Sequence, residues 1–175
     1  HNHSHSNILK KGQLILGDFG AETAMHYAGD ITRTFPVSGK FDSRQQAIYE
    51  VCLQSQLEAI DMIKPGVAYR DVHIHACSVI TSGLAELGIM TEKARFNVGE
   101  AVDAGAHALF FPHGLGHALG LDVHDMEDLG DEVGYGEKLG RSDQFGLNFL
   151  RFAKPLEAGH VMTVEPGIYF IPALI

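Results

Sequence analysis

Residues 13–37 read QLILGDFGAETAMHYAGDITRTFPV, and this stretch decides how the chain begins to fold. QLILGDFG has the apolar density of a buried strand, with Gly17 and Gly20 marking its end. HYAGDITRTFPV reads as a second strand, in which β-branched Ile31, Thr32 and Thr34 are stopped by Pro36. A short turn around Thr23 to His26 makes the two an antiparallel pair. Asp18 and Asp30 then face each other across the ladder. Alone, Asp18 reads better as a turn residue than as a ligand. Asp30 lies inside a strand pattern, where aspartate is disfavoured, so its carboxylate needs a partner.

Beyond this pair the pattern turns helical. Asp42 and Ser43 are good N-caps for a helix over 44–64, ended by Pro65 and Gly66. Its apolar stripe is Ile48, Val51, Cys52, Leu53, Leu57, Ile60 and Ile63. A second helix spans 71–87, with Val72, Val79, Ile80, Leu84 and Leu87 inward and Gly88 just past its end. A short third helix fits 100–106. LFFPHGLGHALGL (109–121) is rich in glycine, as backbone close to a site requires. HVMTVEP and GIYFIP, near the end, read as strands. Helices packed on one side of a curved, mainly antiparallel sheet give an α+β class.

Four residues in chain order carry the chemistry: Asp18, Asp30, His117 and Glu165. Glu165 sits between Val164 and Pro166, where a buried carboxylate is costly unless paired or ligated. Three carboxylates and one imidazole suit Mn, Co or Zn better than a soft thiolate site would. Carboxylates brought together repel unless cations neutralise them, so two divalent ions are the natural solution. Such a pair activates water for hydrolysis.

Three ordered blocks, GDITRTFPVSG, HGLGHALGLDVHD and TVEPGIY, resemble the pita-bread metallopeptidases. This family includes creatinase, aminopeptidase P and methionine aminopeptidase, and the likeness is nearest to the Xaa-Pro aminopeptidase and prolidase branch. The resemblance implies the pita-bread fold and metal-dependent hydrolysis of X-Pro peptide bonds, through a dinuclear centre with a bridging water. It implies that Asp18 holds one metal, Asp30 bridges both, and His117 and Glu165 hold the second. It also makes Glu165 a proton shuttle, places His124 near the scissile carbonyl, and sets His113 and His1 along the substrate pocket. His26, His73, His75, His107 and His160 carry no such support and read as structural or surface residues.

The resemblance runs from His1 to about residue 171 and is weakest over 127–154, which reads as an insertion; the acidic run MEDLGDEVGYGE is expected as a solvated loop. A fifth ligand, a second glutamate, is implied beyond Ile175, and more chain ahead of His1. The expectation is therefore the central part of a catalytic domain, without its N-terminal domain and C-terminal end.

The 175 residues suffice for one domain with a core. A net charge of −9 argues against nucleic acid as a partner. No apolar run reaches the roughly 18 residues of a membrane helix. The polar opening HNHSHSNILKK and two cysteines, Cys52 and Cys77, read as free core thiols, lead to an expected cytoplasmic location. The expected partner is a peptide with proline at position two; the full-length protein is allowed as a homo-oligomer. Xaa-Pro dipeptidase action and a non-catalytic binding protein of the same fold are the alternatives. The retained ligand positions weigh against the latter, and against creatinase-type enzymes. The HGLGH and GLDVHD pattern weighs against methionine aminopeptidases.

Overall fold

The computed structural model describes residues 6–174 of the chain. Strands β1 (Leu14–Glu22) and β2 (Ala28–Pro36) form an antiparallel pair. The loop between them is closed by Thr23, whose carbonyl and hydroxyl accept from the His26 and Tyr27 amides, with His26 at φ 67°. The register sets Asp18 opposite Thr32 and Asp30 opposite Gly20. The two aspartates thus share a face as diagonal neighbours and do not oppose each other as expected. The strand also runs on through Gly17 and Gly20, and it is not buried: Leu14, Leu16 and Phe19 are exposed. The Phe19 ring folds back over Gly17, where a Cβ would lie 2.3 Å from it. An apolar run can cover its own glycine without reaching a core.

Helix α1 (Ser43–Met62) starts at a capping box formed by Asp42 and Gln45. Helix α2 (Tyr69–Glu86) crosses it closely, because Gly83 admits the Val51 side chain; a Cβ on Gly83 would stand 2.6 Å from Val51 Cγ1. The α1 face turned inward is built on Ser55 and Ala59. Three of the seven residues in the expected stripe, Leu53, Leu57 and Ile60, lie around the helix and are exposed. Small residues won the inward position because the α1–α2 contact is tight. In α2, Val72, Ile80 and Leu84 are core residues as expected, whereas Leu87 is exposed at the helix end beside Gly88 at φ 72°.

A short helix α3 (Glu92–Phe96) was not expected; the helix expected over 100–106 is α4 (Val98–Asp103), which stops before Gly105 at φ 79°, and a 3₁₀ turn over Ala106–Leu109 follows. His73 and His107, read as structural or surface, are fully buried. Burial pushes His73 down to about 3 and lowers His107 as well, so both rings are neutral.

Towards the end of the chain one expectation is refined and one fails. The acidic run 126–137, expected as a solvated loop, is exposed over most of its length, but its Gly134 and Tyr135 are buried, and the wider 127–154 segment is anchored in the core. Tyr135, Leu150, Phe152 and Ala153 are buried in the main core, and Tyr135 donates a 2.6 Å hydrogen bond to the Leu150 carbonyl. A short helix α5 (Glu132–Tyr135) and the Arg141–Asp131 ion pair shape this segment. Most acidic residues of the run face water, as do Met126 and Leu129, while Tyr135 anchors it. Residues 160–172 form no regular strand. Residues 161–165 nevertheless pair antiparallel with 115–119: Thr163 N–H donates to His117 O, Glu165 N–H to Leu115 O and Leu119 N–H to Val161 O. Pro166 lacks the amide needed to extend the ladder. The Ala28 amide donates to Gly120 O, which sets β2 beside the 115–120 segment.

Candidate metal centre

Three backbone segments therefore run side by side: β2, 115–120 and 161–165. Each contributes one ligand-type side chain at the same level. Asp30, His117 and Glu165 offer ligand atoms that all lie within 4.8 Å of one another. His117 Nε2 is 3.2 Å from Asp30 Oδ2 and 3.2 Å from Glu165 Oε1. The imidazole is buried and the two carboxylates are half-covered.

The backbone approach that makes this possible needs glycine. A Cβ on Gly116 would stand 2.2 Å from the Thr163 carbonyl and 2.7 Å from the Tyr69 hydroxyl. Any other residue beside His117 would push the 161–165 segment away. Glu165 is held from several sides. Thr163 accepts from the His117 amide at 2.9 Å and donates to Glu165 Oε1 at 2.9 Å. From α1, Gln56 donates to Val164 O and Cys52 to Pro166 O, fixing the backbone either side of Glu165.

His117 Nδ1 donates to its neighbour's carbonyl, Ala118 O, at 2.9 Å. That bond directs Nε2 towards the carboxylates, as a metal-binding imidazole requires. Burial alone would lower the His117 pKa. Hydrogen bonds to Glu165 and Ala118 and the charges of Glu165 and Asp30 outweigh it, and the net shift is upward. Burial raises Glu165, but hydrogen bonds from His117 and Thr163 outweigh that and hold it below its ordinary value. A cavity that strengthens proton binding at Nε2 attracts cations, and a metal ion competes for the same lone pair. The donor set of two hard oxygens and one nitrogen fits a divalent ion of the Mn, Co or Zn type.

Asp18 opens onto the same cleft but is not among the three clustered groups. Its Oδ1 accepts from Thr32, the residue opposite it in the ladder, at 3.1 Å. His124 packs edge-on against His117, ring centroids 4.4 Å apart. Arg151 approaches its Nδ1 at 3.4 Å; since arginine can only donate, Nε2 carries the proton of the neutral ring. Burial lowers His124 first, with Arg151 and His117 adding to the effect. His113 donates from Nδ1 to Gly114 O and accepts from the Tyr169 hydroxyl at 3.2 Å, forming part of the cleft wall. His1 lies outside the described residues.

Sequence reasoning missed Thr163, Arg151 and Tyr169. Arg151 also pairs with Glu127, so the segment read as an insertion reaches the cleft. A threonine two residues before a candidate ligand was the available signal for Thr163; nothing local marked the other two.

The chain matches metallopeptidase family M24 over residues 1–174 and belongs to that family. It is 47% identical over 149 residues to a probable Xaa-Pro aminopeptidase of Pyricularia oryzae, covering 85% of this chain and 30% of that protein. It is 42% identical over 167 residues to the Xaa-Pro dipeptidase of Homo sapiens, covering 95% and 32%. Among solved structures, aminopeptidase PepP of Pseudomonas aeruginosa is 37% identical with a TM-score of 0.77, covering 100% of this chain and 35% of that one. The α+β pita-bread class expected from the resemblance is thereby shown. The chain spans about a third of the length of these relatives.

Proposed function

We propose that the protein is a metal-dependent peptidase acting on X-Pro peptide bonds, an Xaa-Pro aminopeptidase. The observation that carries this reading is the convergence of Asp30, His117 and Glu165 on one cleft. Membership of the M24 family and the activities named for the relatives support it.

In this reading His117, Glu165 and Asp30 would hold one ion, and Asp18 with Asp30 would hold a second. Mn is the first candidate, with Co or Zn as alternatives. When bound, the ions polarise the scissile carbonyl and lower the pKa of a water toward ~7. The chain's own groups do the rest. Glu165, positioned by Thr163, carries a proton from the water to the leaving imino nitrogen. His124, with its proton on Nε2, donates to the developing oxyanion. An X-Pro bond has no amide hydrogen and a fixed ring, so selection rests on the shape of the pocket. The His113–Tyr169 pair supplies one wall of it. Substrates are peptides, and the proposed location is the cytoplasm. Among the described residues no helix is long and apolar enough to cross a membrane.

The human relative favours a second reading, Xaa-Pro dipeptidase. Peptides of two, three and more residues with proline second separate the two: dipeptidase action stops at two residues. The test of the main proposal is a panel of X-Pro and matched X-Ala peptides with Mn. Cleavage of the proline set alone is expected, and equal cleavage of both overturns the reading. His124→Ala should lower kcat by roughly 10²–10³-fold while leaving metal affinity almost unchanged.

A further inference from the structure

A second cluster of ligand-type side chains lies away from the cleft. His73 and Cys77 stand one turn apart on α2, and His107 reaches them from the 3₁₀ turn at Ala106–Leu109. All three are fully buried. Their ligand atoms lie within 4.8 Å of one another, and Cys77 Sγ is 3.5 Å from His73 Nε2. A tetrahedral zinc ion with bonds of about 2.0–2.3 Å places neighbouring ligand atoms roughly 3.3–3.6 Å apart. The Sγ–Nε2 distance already meets that spacing, and His107 needs only a short approach.

The polar atoms here are poorly satisfied. His73 Nδ1 and both ring nitrogens of His107 have no hydrogen-bond partner within bonding limits. The Val102 backbone lies near enough to raise the proton affinity of His107, without completing a bond. Thr81, one turn beyond Cys77 on the same helix, also keeps a buried hydroxyl without a partner. Unpaired buried polar atoms are uncommon in folded proteins and cost stability. One of these, a ring nitrogen of His107 within 4.8 Å of the ligand atoms of His73 and Cys77, is the buried atom that an ion in this cluster would satisfy.

We propose that His73, Cys77 and His107 form a second, buried site for a thiophilic transition-metal ion, Zn²⁺ foremost. On binding, the Cys77 S–H bond breaks, its proton leaves to solvent, and the sulfur forms the metal bond. The two neutral imidazoles donate lone pairs, and a water completes the four-coordinate shell. The site is unlike the cleft: it has a thiolate and no carboxylate, so it selects softer ions than the Asp30–His117–Glu165 group. It ties α2 to the turn that leads into 110–120, the segment bearing His113 and His117. Because all three ligands are sealed from solvent, loading takes place during folding.

Cobalt(II) tests this, because a thiolate bound to cobalt gives a near-ultraviolet charge-transfer band that oxygen and nitrogen ligands do not. The protein, in a Cys52→Ser, His117→Ala background that removes the other thiol and a cleft ligand, is refolded from denaturant with cobalt. The expected result is the charge-transfer band, displaced by zinc and lost on adding Cys77→Ala or, separately, His107→Gln. A folded protein without the band, or a band that survives both changes, overturns the proposal and leaves a polar pocket filled by water only. X-ray absorption on the unsubstituted protein refolded with zinc is independent of the variants. It should show a sulfur neighbour at about 2.3 Å; oxygen and nitrogen neighbours alone overturn the site.

Discussion

The two histidine clusters are built from similar parts in opposite surroundings. At the cleft, His117 is buried but its partners Asp30 and Glu165 are half-open, and every ligand atom has a hydrogen-bonded or charged neighbour. In the core, His73, Cys77 and His107 are sealed, with no charge among them and three of the four ring nitrogens unpaired. The first arrangement is open to solvent and tolerates charge. The second can only stabilise. The difference shows that ligand-type residues in proximity are not enough to assign chemistry; access and the charge of the donors decide it.

The sharpest way to break this contrast is to remove one histidine from each cluster. His117→Ala should abolish peptidase activity, a loss on the order of 10³-fold or more, while circular dichroism shows the fold retained. Retained activity would remove His117 from the site. His107→Ala should do the reverse. With chelator present, urea denaturation should report a loss of about 2–5 kcal/mol, as for other large-to-small core changes; assayed separately with Mn and no chelator, kcat/KM of the folded fraction should hold. If activity fell and stability did not, the two clusters would not be separate.

A finer comparison substitutes the supports. Thr163→Val keeps the shape but removes the hydroxyl that orients Glu165; metal affinity or activity should fall about 10–100-fold, as metal titration followed by kinetics would show. Gly83→Ala, at the α1–α2 contact, should cost about 1–2 kcal/mol in urea denaturation, because the Val51 side chain must turn aside. Activity should stay close to unchanged, since Gly83 is distant in function from the cleft.

Much of this was legible in the chain. Asp30 in a β-branched run and Glu165 in an apolar one were costly placements that asked for a common partner, and the structure brings both to His117. The helix boundaries were legible from Asp42, Pro65 and Gly88. What was hidden depends on long-range packing. Periodicity marked one apolar stripe on α1, but the tight crossing at Gly83 turns the row with Ser55 and Ala59 inward instead. Tyr135 is one aromatic residue among the acidic neighbours of 126–137, so local composition read the run as solvated and gave no sign of the anchor within it. Residues 160–172 had strand-like content, yet a ladder depends on which backbone lies opposite.

The β1–β2 ribbon has one further consequence. It shows apolar residues to solvent, Phe19 and Ile31 on one side and Leu16 on the other, and is joined to the body by few bonds, among them Ala28 to Gly120 and Gln45 to Gly12. A two-stranded ribbon on its own is marginal in water. Any ion held between Asp30 and His117 therefore fastens the ribbon to the body. The opening fluctuations of the ribbon and the occupancy of the cleft become linked quantities. Amide exchange along residues 14–36 should slow as the cleft fills, making the ribbon a built-in gauge of metal loading that can be read without substrate.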